Sequence, residues 1–163
     1  MIERELYDTA ELLVKLLKER GLSVSAAESC TGGLFTACIT EVPGASWVLN
    51  ESIVTYSNEA KMRELGVSES TLEEHGAVSY ETAKEMAEGI RRHTGADMGI
   101  GITGIAGPDG GTDEKPVGTV YAGVALGDKV KVIHMLHSGT RSDVRIKTCL
   151  RVLSEAVGAL GKE

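Results

Sequence analysis

A chain of 163 residues with 42% apolar and 25% charged side chains is an ordinary globule, expected to bury roughly 70% of its unfolded surface as one domain over 1–163. Aromatic residues at 4% supply no stacking platform for single-stranded nucleic acid, and a formal charge of -7 argues against a duplex-binding surface. Three cysteines without CxxC spacing argue against a disulfide framework and a zinc site. There is no signal-like N-terminus and no run of about 18 apolar residues, so the expectation is a cytoplasmic protein with no bound metal and no membrane contact.

Ile2, Leu6, Ala10, Leu13 and Leu17 recur at steps of three and four, which predicts an amphipathic helix closed by Gly21. A short strand follows at 22–27, then a small-residue helix at 31–40 ended by Val42-Pro43-Gly44. The β-branched and aromatic run at 52–57 reads as a strand, and 59–65 as a helix stopped by Gly66. A capping box at Ser70-Thr71-Leu72-Glu73 opens a short helix that ends at Gly76. The next helix, at 79–94, carries Ala83, Met86, Ala87 and Ile90 on one face. Residues 98–103 form a continuous apolar strand of the kind buried on both faces, followed by a Pro/Gly loop at 104–116. Strands at 119–126 and 130–136 flank Gly127-Asp128-Lys129 as a hairpin. Thr140-Arg141-Ser142-Asp143 caps a last helix with Ile146, Leu150, Leu153, Val157 and Leu160 on its apolar face. This alternation predicts a three-layer α/β/α sandwich around a mixed, mostly parallel sheet of about five strands.

Gly99-Ile100-Gly101-Ile102-Thr103-Gly104 matches the dinucleotide pattern G-x-G-x-x-G letter by letter. It lies inside the strand, however, with no helix behind it, so close helix–sheet packing is the better reading. Ala27-Glu28-Ser29-Cys30-Thr31-Gly32-Gly33 falls at a strand-to-helix turn. It has neither the Gly-Lys-[Ser/Thr] of a P-loop nor the G-x-S-x-G elbow of the common serine hydrolases. Two readings of it stay level: a Ser or Thr capping the next helix, or a nucleophile beside helix amides that hold an anion. A serine nucleophile needs a base. His75 and His93 fall near helix ends, and His134 and His137 are three apart on a strand and face opposite sides. No Ser-His-Asp triad is apparent, which leaves a lysine as the economical base. Tyr56 and Lys61 can reach one site at the carboxyl end of a parallel strand, although composition alone favours a strand anchor and a solvated lysine. Arg141 and Arg145 form an i, i+4 pair suited to a phosphate or carboxylate, or to a salt bridge with Asp143.

Several segments in order carry a more specific signal: AESCTGG (27–33), VPG (42–44), YSNEAK (56–61), LGVS (65–68), HGAVS (75–79), AEGIRR (87–92), ITGIAGPDGG (102–111) and EKPVGTVY (114–121). Over about residues 8–158 the chain resembles the C-terminal domain of the competence/damage-inducible protein A (CinA) family, the nicotinamide-nucleotide amidases, in the stand-alone form. Gly139-Thr140-Arg141 replaces a run closer to Gly-Asp-Arg, and Ser52 stands where a Gly is common. The resemblance implies hydrolysis of the carboxamide of nicotinamide mononucleotide to nicotinate mononucleotide and ammonia, without a cofactor, by a homodimer or higher homo-oligomer. It implies Ser29 as the nucleophile, with Tyr56 and Lys61 activating it. Backbone amides near Thr31 and Gly32 would serve the oxyanion, and Gly33, Thr103 and Gly104 the substrate. Arg141 and Arg145 are the expected phosphate partners, and Cys30 remains a rival nucleophile. Two alternatives stand beside this reading. One is a non-catalytic nucleotide-binding or competence-related partner protein. The other is an ADP-ribose-type phosphohydrolase, for which Asp109, Asp113 and Glu114 are the only clustered carboxylates to hold Mg²⁺.

Overall fold

Residues 2–161 are described by a computed structural model; positions 1, 162 and 163 of the expected domain lie outside them. The amphipathic start forms α1 (Arg4–Arg20), whose buried stripe of Leu6, Ala10, Leu13, Val14 and Leu17 ends at Gly21 in the left-handed region. Next come β1 (Val24–Glu28), α2 (Leu34–Thr40), a 3₁₀ turn at Ala45–Trp47 and the two-residue β2 (Ile53–Val54). Helices α3 (Asn58–Leu65), α4 (Glu69–His75) and α5 (Tyr80–Thr94) precede β3 (Met98–Gly104). The chain closes with the hairpin β4 (Thr119–Leu126) and β5 (Lys129–Leu136), then α6 (Arg141–Gly161).

The five strands lie in the order β2-β1-β3-β4-β5. β1 is parallel to β2 and β3, and β4 is antiparallel to both of its neighbours. Four strands therefore run one way and one runs against them, as the hairpin required. Helices α1, α2 and α6 cover one face, where Val24, Ala26, Ile100, Ile102, Val120 and Ala122 join the main core. Helix α5 covers the other, with α3 and α4 packed beside it. The chain leaves β1 toward β2 on one side, while β3 lies on the other. The carboxyl ends of β1 and β3 thus flank the crevice in which open α/β sheets bind ligands.

Three boundaries differ from the sequence expectation. Helix α2 starts at Leu34, because Gly32 and Gly33 take φ of 57° and 97° and interrupt the turn. The expected strand at 52–57 shortens to Ile53–Val54 at the sheet edge, where the Ser52 hydroxyl instead accepts a hydrogen bond from the Ala26 amide at 3.1 Å. Helix α4 opens at Ser68, whose hydroxyl accepts from the Thr71 amide at 3.1 Å, so the cap lies two residues before the predicted Ser70. The cap of α6 is as expected: the Asp143 carboxylate accepts from both the amide and hydroxyl of Thr140, and the Asp143 amide returns a bond to that hydroxyl.

The strand glycines have a packing cause. Side chains alternate across β3, so Met98, Ile100 and Ile102 enter the main core while Gly99 and Gly101 face α5. A Cβ at Gly101 would stand 2.6 Å from the Ala87 nitrogen and 2.7 Å from the Ala83 oxygen. Gly123 on β4 meets the same helix, with its Cβ position 2.8 Å from the Ala83 oxygen. Gly101→Ala is expected to cost about 1–3 kcal/mol through overpacking against backbone. That lowers Tm by roughly 2–12 °C for a chain of this size. Gly158→Ala on α6, where a Cβ meets nothing within 4 Å, is the control expected to keep or raise Tm. Equal melts for wild type and Gly101→Ala would mean that α5 does not press on the sheet.

Candidate active site

The alternation that seats β1 decides what each residue at its end can do. Val24 and Ala26 face α1 and α6, and Glu28, next in that series, turns the same way toward α2. Its carboxylate is 1% exposed and accepts from the amides of Gly33 (3.1 Å), Phe35 (3.1 Å) and Thr36 (2.9 Å) and from the Thr36 hydroxyl (2.8 Å). An acid from the strand thus caps α2, and no side chain at the N-cap position does so. Neither Ser29 nor Thr31 is the cap. Glu28→Ala leaves these amides without their acceptor and is expected to cost about 2–4 kcal/mol in a denaturant melt. A melt equal to wild type would show that water replaces the carboxylate.

Ser29, one residue on, turns to the opposite face, where α3 lies. Ser57 caps α3 by accepting from the Ala60 amide, and Lys61 follows one turn into the helix. The Lys61 amine lies 3.1 Å from Ser29 Oγ and donates to the Thr55 carbonyl at 2.7 Å and, at 3.4 Å, to that of Tyr56. Lys61 is 1% exposed and forms no ion pair among the described residues, and burial lowers its pKa from 10.5. Removing a lone ammonium from water favours the neutral amine, the form that accepts a proton. Cys30, beside Ser29, is 5% exposed, and burial pushes its thiol up to about 11. The serine has a base in contact; the thiol is held protonated.

Ser29 and Lys61 open on a cavity of about 280 Å³ whose wall includes Tyr56, Thr103, Gly104 and Arg141 among the expected residues. Thr103 donates from its hydroxyl to the Ala77 carbonyl at 2.7 Å, fixing the end of β3 against the segment before α5. Arg141 donates to the Gly107 carbonyl (2.7 Å) and to the Tyr56 hydroxyl (2.9 Å). The Tyr56 hydroxyl is therefore engaged by the guanidinium, while Lys61 meets Ser29 directly.

Thr31, Gly32, Gly33 and Arg145 stand outside that wall. Thr31 is fully buried, and its carbonyl accepts from Arg145 at 2.8 Å, so the two arginines of α6 serve different places. The Gly32 amide donates to the Ser29 carbonyl at 3.0 Å and the Gly33 amide to Glu28. Among the described residues no backbone carbonyl accepts from the Cys30 or Thr31 amide. The sequence reading missed the capping role of Glu28 and the wall contributed by Ala106, Gly107, Asp109 and Gly110. The first had a signal in a lone acid ending an apolar strand, and the second in the length of the ITGIAGPDGG match. Among the described residues no group of three or more His, Cys, Asp or Glu could hold a metal ion, and no helix is long and apolar enough to cross a membrane.

A serine and a buried lysine at the switch point of a mixed α/β sheet define a class of site in which strand ends and loops carry the chemistry. The chain belongs to a known family of that architecture: the model of the CinA C-terminal domain matches residues 6–160. A Thermoanaerobacter sp. protein named for competence-damage induction is 56% identical over 143 residues, 88% of this chain and 35% of the relative. The chain thus spans about a third of the length of such relatives. The crystal structure of a competence/damage inducible protein from Agrobacterium tumefaciens superposes with a TM-score of 0.95 at 38% identity, covering 99% of each chain. A CinA superfamily protein from Klebsiella pneumoniae gives 0.93 at 31% identity, covering 97% of this chain and 99% of its own.

Proposed function

We propose that the protein is an amidohydrolase that cleaves the carboxamide of nicotinamide mononucleotide, releasing ammonia and nicotinate mononucleotide. One observation carries the reading: a buried lysine with no acidic partner among the described residues, 3.1 Å from the oxygen of a serine that lines a cavity. Ser29 Oγ attacks the carboxamide carbon as Lys61 Nζ takes its proton. The oxygen that becomes negative is met by the Cys30 amide, which stands on the cavity wall and reaches no backbone carbonyl among the described residues. Lys61 then protonates the leaving nitrogen, and ammonia departs as the C–N bond breaks. Water adds to the resulting ester with Lys61 again as base, so carboxylic acid leaves and the serine hydroxyl is restored. Arg141, on the cavity wall and in no ion pair among the described residues, is the partner offered to the phosphate.

The purified protein is expected to release ammonia from nicotinamide mononucleotide at the same rate with and without a chelator. Activity lost to the chelator, or phosphate released from ADP-ribose, would favour the phosphohydrolase. No turnover of either substrate alongside tight nucleotide binding would favour the non-catalytic alternative.

A further inference from the structure

The amidase reading, on which this inference rests, leaves one charged wall residue without a role. Asp109 is the only carboxylate on the cavity wall and forms no ion pair among the described residues. Arg141 reaches the carbonyl of Gly107, two positions away, yet spends its guanidinium there and on Tyr56 rather than on Asp109. The charged lining is thus split, with a guanidinium and a separate carboxylate on walls of one small cavity. The proposed substrate is split in the same sense. Its N-glycosylated pyridinium ring is a cation, and its phosphate is an anion. With the carboxamide carbon at Ser29 Oγ, the ring is one bond from the reacting atom and has to occupy the cavity. A ring without that charge, as in the dihydro form of the same nucleotide, has the same outline and the same phosphate.

We infer that Asp109 is a specificity determinant that reads the charge of the ring, favouring the oxidised pyridinium nucleotide over its reduced, neutral form. Asp109 is an exposed residue that lines the cavity and forms no ion pair among the described residues, so its field acts on a ligand seated there. Arg141 acts on the phosphate, which both forms carry.

Affinities are measured by calorimetry in a Ser29→Ala background, where the amide stays intact, for nicotinamide mononucleotide and for its dihydro form. Adding Asp109→Asn, which keeps the shape and removes the charge, is expected to weaken the oxidised nucleotide about tenfold and leave the reduced one unchanged. The loss should shrink as salt rises. Equal weakening of both ligands would overturn the proposal in favour of a ribose contact. Tighter binding would overturn it by setting Asp109 beside the phosphate. Unchanged affinities together with ammonia release by the wild type would sink this inference and spare the amidase. Charge discrimination lost in Asp109→Asn, with no ammonia release by the wild type, would do the reverse.

Discussion

Ammonia release from nicotinamide mononucleotide is expected to fall by about 10⁴- to 10⁶-fold in Ser29→Ala, the scale seen when a hydrolase loses its attacking oxygen. Ser29 Oγ is the oxygen in contact with the buried amine, and no other group in the turn offers a comparable nucleophile. Cys30→Ala is expected to keep most of the activity, because a thiol pushed up to about 11 holds little thiolate at neutral pH. Ser29 is 8% exposed at the turn, and truncating its hydroxyl should leave the melt close to wild type. An active Ser29→Ala beside an inactive Cys30→Ala would transfer the role to sulfur.

Lys61→Met is expected to lower kcat by about 10² to 10⁴ with a much smaller change in KM, as for loss of a general base. The same assignment fixes the sign of the pH dependence. The base works deprotonated, so kcat/KM rises with pH and levels off above the Lys61 pKa. Burial lowers that pKa, so the midpoint of the rise should fall below 10.5, the ordinary lysine value. A midpoint at or above 10.5, or a Lys61→Met enzyme that turns over normally and binds poorly, would make Lys61 a substrate anchor.

The periodic elements of this fold were legible because period and punctuation agree. Gly21, Gly66 and Gly95 end their helices where the apolar stripes stop, and the Gly127 turn sets the hairpin. Edge pairing was not legible: the run at 52–57 has a strand's composition, yet only two of its residues find a partner strand. Residue spacing offered Ser29 and Lys61 only as separate candidates, and the family resemblance is what paired them, because 32 positions separate them and the β1/α3 packing joins them. Helix spacing suggested that Arg141 and Arg145 act together. Their reach across the fold differs, since one meets the Tyr56 hydroxyl and the other the Thr31 carbonyl. The destiny of Glu28 depends on which way an otherwise uniform strand faces, and burial on both sides hides that from any periodic pattern.

Ser29 and Lys61 hang from a strand end and a capped helix, whereas residues 104–110 supply much of the remaining wall from β3's end and the loop behind it. For an engineer this separates two tasks that many enzymes entangle. The loop can be rewritten in a library to admit bulkier or uncharged amides while the reacting pair keeps its spacing, because neither residue of that pair takes its position from the loop. The first limit on such redesign is the Gly107 carbonyl, which Arg141 holds at 2.7 Å. Gly107 takes a φ of 85° and a Cβ there would run into Val117, so libraries that keep this glycine preserve the arginine's aim, and those that replace it shift the carbonyl and free a cation to wander into the pocket.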